Sequence, residues 1–394
     1  MPGFEPFAGI RYDDEKVALD RVVAPPYDVI SPDDRHRLEE RSPYNVVHID
    51  LSRDEAERDR YAAAGCRFDE WLAANVLVND PEPAFYVYRM GYHDADGRPR
   101  QTSGVIGALE LSVPGEGDVL PHERTMPKPK DDRLNVLRAC RANLSPIWVL
   151  SLAEGLSALC ELPGPPDARC TDDEGVHHRL WRITQPGIVS AMADAVRSAP
   201  VVIADGHHRY ETALAYRDER RAASAGPGAH DQIMAFAVEL AEEQLSIRPI
   251  HRLLSGLDPG VDLLEELSRA FEPFDAGPPT ESLPARMADA GALALVLPEQ
   301  AWLLRPRDAP NDERSDADRF EAASLPRHEL AYQHGAANVL AAVEKGEAQA
   351  GVLLRPVSVA QMAAAARAGR RLPEKTTFFY PKPATGLVFR RVVS

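Results

Sequence analysis

Strand-like and helix-like runs alternate along this chain, and the sharpest change of period falls at residues 201–214. Val201-Val202-Ile203-Ala204 is an apolar, largely β-branched run, the pattern of a buried strand. Asp205-Gly206 is a turn signal. From His208 on, Tyr210, Ala213, Leu214 and Ala215 recur at helical spacing, with Glu211, Arg217 and Glu219 on the polar face. The pattern predicts a strand over 201–204 and a helix over 208–222, with Asp205 to His207 in the turn.

The same reading along the rest of the chain predicts a strand over 46–50 and a helix over 53–75, whose apolar side carries Tyr61, Phe68, Trp71 and Leu72. Strands over 85–90 and 103–111 flank Asp94-Ala95-Asp96-Gly97, a hairpin signal. A helix over 132–142 and a strand over 146–151 follow. Further on come a strand over 177–183, a helix over 186–198, and strands over 233–240 and 245–250. The turn-rich stretch Ser255-Gly256-Leu257-Asp258-Pro259-Gly260 is where a domain boundary is expected. Beyond it the pattern predicts a helix over 261–271 and strands over 292–297 and 302–306. Helices over 336–344 and 359–369 flank a strand over 350–355, and a last strand spans 386–392. Interleaved strands and helices imply an α/β or α+β class. The expected division is a domain over 1–257 and a second α/β domain over 258–394.

Length agrees with two domains, at 394 residues. The net charge of −16 argues against broad nucleic-acid binding, which depends on surface Lys and Arg. Cys66, Cys140, Cys160 and Cys170 lack zinc-finger spacing. Cys160 and Cys170 are near enough in sequence to pair, but reduced thiols are the simpler expectation. The stretch Met1 to Pro6 lacks the basic and apolar regions of a secretory signal, and no apolar run reaches membrane-spanning length. A cytoplasmic protein with neither a nucleic-acid nor a membrane partner is expected. Nothing in the pattern fixes an oligomeric state.

Lysine is scarce: Lys16, Lys128, Lys130, Lys345, Lys375 and Lys382 are all there are. Four of the six fall in 128–130 and 375–382, either by chance or because a compact ammonium is wanted in both stretches. The first lies in Leu120 to Arg133, dense in titratable groups and containing His122 and Glu123. The second contains Lys375-Thr376-Thr377-Phe378-Phe379-Tyr380-Pro381-Lys382, where aromatics flank the lysines.

The turn at 205–209 carries the most specific chemistry. The first N–H groups of a helix have no internal partner, and the helix dipole adds positive charge there. A phosphate suits such a place. Gly206 permits close approach, and His207, His208 and Arg209 set donors around the same point. Asp205 is either a magnesium ligand or the helix cap. Paired histidines also admit a zinc reading, though no other His or Cys cluster has ligand spacing.

This turn resembles the phosphate-cradling Gly-x-His-Arg turn of the ParB/sulfiredoxin-like fold, to which the free serine kinases belong. The wider chain is similar to a bacterial and archaeal family of domains of unknown function, numbered one thousand and fifteen. The matching stretches are Ala24 to Val29, His122 to Thr125, Asp132-Arg133, Ala142 to Ile147, Ala204 to Arg209 and Lys375 to Lys382. The resemblance implies a nucleotide-binding core in which Asp205, Gly206, His207, His208 and Arg209 hold phosphates. It implies that Glu123, paired with His122, takes the proton from an acceptor hydroxyl. Lys375, Thr376 and Lys382 are then candidates to contact the nucleotide, ATP or ADP with Mg²⁺. The activity so implied is phosphotransfer to a small hydroxylated metabolite, free serine first. The alternatives are a nucleotide-gated switch of ParB type and a metal-dependent hydrolase. Sulfiredoxin chemistry is disfavoured, because Gly206 or His207 stands where those proteins carry a cysteine.

Overall fold

The computed structural model describes residues 1–94, 97–113, 117–121, 130–162, 164–223, 226–307, 313–323 and 325–393. The chain is mixed α/β and falls into two compact units. Residues 1–121, 130–246 and 381–393 belong to the first, and Ile247–Tyr380 to the second.

The first unit is built on a nine-stranded sheet. Its order is Val119–Pro121, Val201–Asp205, Ile147–Ser151, Gln232–Glu239, Pro99–Glu110, Phe85–His93, His177–Ile183 and Ala168–Thr171, with Phe4–Glu5 also pairing with Pro99–Glu110. Phe85–His93 and Pro99–Glu110 form the expected hairpin, in register from Tyr86 opposite Ile106 to His93 opposite Pro99. Val201–Asp205 lies parallel to Val119–Pro121 and antiparallel to Ile147–Ser151. Residues Val201 to Ala204 are all buried, which is why the run is apolar on both faces. Phe85, Val105, Ile147, Val201 and Ile203 form one core, with Met192 and Val196 from helix Pro186–Arg197 and Tyr210 and Ala213 from helix His207–Ala222. A second core joins Ile10, Tyr12, Phe68, Trp71 and Phe389.

Two local expectations are corrected. Residues 46–50 are not a strand: Val47–Asp50 is a short helix. Asn45 decides this, because its Oδ1 accepts from the Val47 N–H while its Nδ2 donates to the Arg21 and Val23 carbonyls. These side-chain bonds offer the backbone an alternative to a ladder. The helix expected over 53–75 is Arg60–Ala73, since Asp59 caps it by accepting from Tyr61 and Ala62 N–H.

The second unit holds a seven-stranded sheet in the order Phe271–Gly277, Ala301–Pro306, Leu293–Val296, Ala350–Leu353, Ser246–Ser255 and Glu329–His334. Thr377–Tyr380 also pairs with Ser246–Ser255. The stretch 255–260 is an internal turn of this unit. Gly256 there has φ 66°, and the Leu257 N–H donates to Gln349 Oε1. The division falls instead between Ser246 and Ile247, and Pro381 onward belongs to the first unit. The helix expected over 261–271 is shorter, Leu263–Ser268, and Phe271 opens a strand. Of the last expected strand only Arg390–Arg391 forms a paired strand, with Ala142–Asn143, and Phe389 adds an isolated bridge to Ile10. All four cysteines are free, so Cys160 and Cys170 do not pair. Among the described residues no helix is long and apolar enough to cross a membrane.

Candidate functional site

The strand Val201–Asp205 ends where helix His207–Ala222 begins, with Gly206 alone between them. Gly206 has φ 92°, a left-handed conformation. A Cβ there would lie 2.8 Å from Ile147 Cγ2, so glycine is required both by the backbone and by its neighbour. The strand runs one residue further and the helix begins one residue earlier than the spacing predicts, so Asp205 and His207 leave the turn to Gly206.

Asp205 is not the helix cap. Gly206 holds that position without a side-chain bond. The Asp205 carboxylate instead collects two cations. Oδ2 accepts from Arg209 Nη2 at 2.6 Å, and Oδ1 lies 2.9 Å from Lys382 Nζ. Arg209, one helical turn on, also donates through Nη1 to Ser145 Oγ at 2.8 Å and the Pro146 carbonyl at 2.6 Å. Lys382 also donates to Asp28 Oδ2 at 2.6 Å. Two carboxylates and two cations thus balance at the end of one strand. Burial would raise the Asp205 pKa, but Lys382 and Arg209 outweigh it and hold the carboxyl well below the usual carboxylate range. Burial would likewise lower Lys382, and Asp205 and Asp28 hold it above the ordinary lysine value.

A cavity adjoins this cluster. Its walls include Tyr27, Asp50, Arg133, Asn143, Ser145 and Arg209. Four stretches singled out in the sequence, around residues 27, 133, 143–145 and 209, therefore converge on one place in the first unit. Arg133 is buried and donates to Asp50 Oδ1 at 2.8 Å, to the Asp50 carbonyl at 2.9 Å and to Asp132 Oδ2 at 2.6 Å. Its guanidinium lies 4.2 Å from the Tyr27 ring centroid. Burial raises the Asp50 pKa despite Arg133 and Arg209, and Asp50 Oδ2 has no hydrogen-bond partner among the described residues. Asp50 was missed by sequence reasoning. Its only signal was a carboxylate ending an apolar run.

The structure thus brings together Asp205, Gly206, Arg209 and Lys382. His207 and His208 are the first two helical residues, both half-buried. His122 and Glu123, with Lys128, lie outside the described residues. Lys375 and Thr376 belong to the second unit. Lys375 has φ 52°, and its carbonyl accepts from the buried Arg252. Thr376 Oγ1 donates to the Pro373 carbonyl. Among the described residues no group of three or more His, Cys, Asp or Glu is placed to hold a metal ion.

Fold and site define a mixed α/β protein with a charged cluster at a strand–glycine–helix turn. The chain belongs to the family described as protein of unknown function (DUF1015), whose model matches residues 4–338. No curated protein matches it. Among solved structures it is similar to a conserved hypothetical protein from Pyrococcus furiosus, at 14% identity and TM-score 0.35, over 68% of this chain and 89% of that one. A free serine kinase variant in complex with AMP is similar at 12% identity and TM-score 0.37, over 70% and 95%. SbnI from Staphylococcus aureus, truncated at its C-terminus, is similar at 13% identity and TM-score 0.39, over 70% and 84%. At these TM-scores the activity has to be argued from the chain itself.

Proposed function

We propose that the Gly206 turn holds nucleotide phosphates and that the protein is a nucleotide-dependent phosphotransferase. Its acceptor is a small hydroxylated metabolite, with free serine the first to test, and its core is of the ParB/sulfiredoxin-like kind. One observation carries the reading. A left-handed glycine opens a helix at the end of a buried strand, and two cations, Arg209 and Lys382, gather on the preceding Asp205. Helix N-terminus, close backbone approach and flanking cations are what a phosphate needs. The motif resemblance supports the same reading.

Phosphoryl transfer asks the protein chiefly to position phosphates and neutralise charge. In this reading Arg209 and Lys382 share their charge between Asp205 and the incoming phosphates. The bond from the terminal phosphorus to the nucleotide oxygen breaks, and one to the acceptor oxygen forms. The acceptor proton passes to Glu123. Both Asp205 oxygens are already taken by cations, so Asp205 does not fit a magnesium ligand in this arrangement. Magnesium then accompanies the nucleotide, and no step is assigned to a protein-held metal.

The test is a titration with ATP, ADP and CTP, each with and without Mg²⁺, followed by assay of O-phosphoserine from free serine. Saturable binding and product formation are expected. Absence of binding at millimolar nucleotide sinks the proposal. Binding without any phosphorylated small acceptor replaces it with a nucleotide-gated switch.

A further inference from the structure

A second polar network lies inside the first unit, away from the Gly206 turn. Asp172 Oδ2 is 3.1 Å from His178 Nε2. His178 Nδ1 is 2.7 Å from the Tyr88 hydroxyl. The Tyr88 oxygen accepts from the Ala384 N–H at 3.2 Å. Tyr88 and His178 are fully buried, on the adjacent strands Phe85–His93 and His177–Ile183.

The donors in this chain run in one direction. Ala384 N–H can only donate, so it takes a lone pair of the Tyr88 oxygen. The Asp172 carboxylate can only accept, so the hydrogen between it and His178 sits on Nε2, and Nδ1 of the neutral ring accepts from the Tyr88 hydroxyl. That makes His178 the Nε2–H tautomer, which donates to Asp172. Asp172 Oδ1 is fixed in turn by the Glu174 and Val176 N–H groups. Burial would raise the Asp172 pKa, and His178 with these backbone bonds holds it lowered. A buried polar chain of this kind is costly unless every member is satisfied, and here each has its partner.

What the chain ends on gives it meaning. Ala384 lies two residues beyond Lys382, with Pro383 between them and Pro381 on the other side of the lysine. Proline on both sides restricts the backbone of Lys382. On the far side, Thr385 exchanges two backbone bonds with Ala24, at 2.8 and 3.1 Å. Ala24 leads directly into Pro25-Pro26-Tyr27-Asp28, which delivers the second carboxylate to Lys382.

The geometry points to the Asp172–His178–Tyr88 chain as the positioning device for Lys382: Tyr88 pins Ala384, and the stiff Pro-Lys-Pro segment passes that constraint to the ammonium between Asp205 and Asp28. Tyr88, His178 and Asp172 are positioning residues, acting through Lys382. The functional weight of this rests on the phosphate-binding reading of Lys382. The structural claim stands without it.

The experiment uses the full chain and Tyr88→Phe, which keeps the ring against Phe236 and His178. Lys382 is acylated with an amine-selective reagent, and its labelling rate is read by peptide mass spectrometry against the exposed Lys345. A severalfold faster rate at Lys382, with Lys345 unchanged, is expected. If Tyr88→Phe does not fold, Asp172→Ala carries the test, since that side chain is already 26% exposed. A smaller rise in the same direction is then expected. Unchanged Lys382 labelling in a folded variant overturns the proposal and leaves the chain as core packing alone. Titration with ATP and ADP adds a second readout. Tyr88→Phe is expected to weaken binding severalfold, and to add nothing in a Lys382→Met background. Equal weakening in both backgrounds overturns the route through Lys382. If the wild-type protein binds no nucleotide, the phosphotransferase reading falls, and the labelling still decides this one.

Discussion

Gly206 concentrates two constraints in one residue. At φ 92° an alanine costs about 1–2 kcal/mol for the left-handed backbone. Its Cβ, 2.8 Å from Ile147, costs a further roughly 1–3 kcal/mol as overpacking. Gly206→Ala is expected to lower the thermal midpoint and to weaken nucleotide binding together, measured by calorimetry and titration. Lys382 next door separates the two effects. Lys382→Met removes a charge-assisted bond worth about 1.5–3 kcal/mol, and so about ten- to a hundredfold in nucleotide affinity. It also changes the response to acid. Asp205 is depressed in the folded protein by Lys382 and Arg209. Its contribution to stability is therefore full above the ordinary carboxylate range and is lost as pH falls through the depressed value. Without Lys382 the depression shrinks, so denaturation midpoints of Lys382→Met are expected to depend less steeply on pH below about 4. A slope equal to that of the wild type would show that Arg209 alone sets the Asp205 value.

At the scale of elements, periodicity located what it could see. His177–Ile183 and Ala336–Glu344 fall where their patterns put them, because each buries one face and wets the other. Glu329–His334 gave no signal, since none of its side chains is buried and so nothing alternates. Val47–Asp50 misled, because a single asparagine outweighed a β-branched run. The site was legible where its residues are contiguous, at 205–209. It was illegible where partners are distant: Asp50 acquires its role from Arg133, 83 positions away, and no local pattern records that. The strand Ser246–Ser255 supplies a test of its own. His251 is buried and accepts the Leu354 N–H on Nδ1. Burial, then Arg252 and His334, push its pKa down from 6.5 to about 4. The unfolded chain therefore takes up a proton in this range that the folded chain refuses. Stability is full above about pH 6.5 and falls as pH drops toward 4. Urea midpoints measured at pH 7 and 5 are expected to differ more in the wild type than in His251→Gln, which keeps an acceptor but cannot titrate.

For the whole molecule, the segment from Pro381 is the decisive piece. It supplies Leu387, Val388, Phe389 and Val392 to the interior of the first unit, all buried. Burying each such side chain contributes about 1.5–3 kcal/mol as an upper estimate, and together they rival the roughly 5–15 kcal/mol by which a domain is stable. A chain ended after Tyr380 is expected to lose cooperative unfolding of the first unit by circular dichroism, beyond losing Lys382. A truncated chain with a native-like transition would show that this segment only decorates a finished core.

The split membership of the first unit has a consequence for how the protein is made. The described residues of the second unit, Ile247–Tyr380, are continuous in sequence and can gather their own strands as soon as they leave the ribosome. The first cannot close until residues 381–393 have also emerged, because Phe389 must reach Ile10 and Thr385 must reach Ala24 across almost the whole chain. During synthesis the earlier residues wait, apolar surface uncovered, for a clasp that begins about 175 residues after the Gly206 turn has been made. Lys382 travels in that clasp. Closure of the fold and arrival of the second cation at Asp205 are then one event, so a nascent chain stalled short of it carries neither a finished core nor a charged cradle.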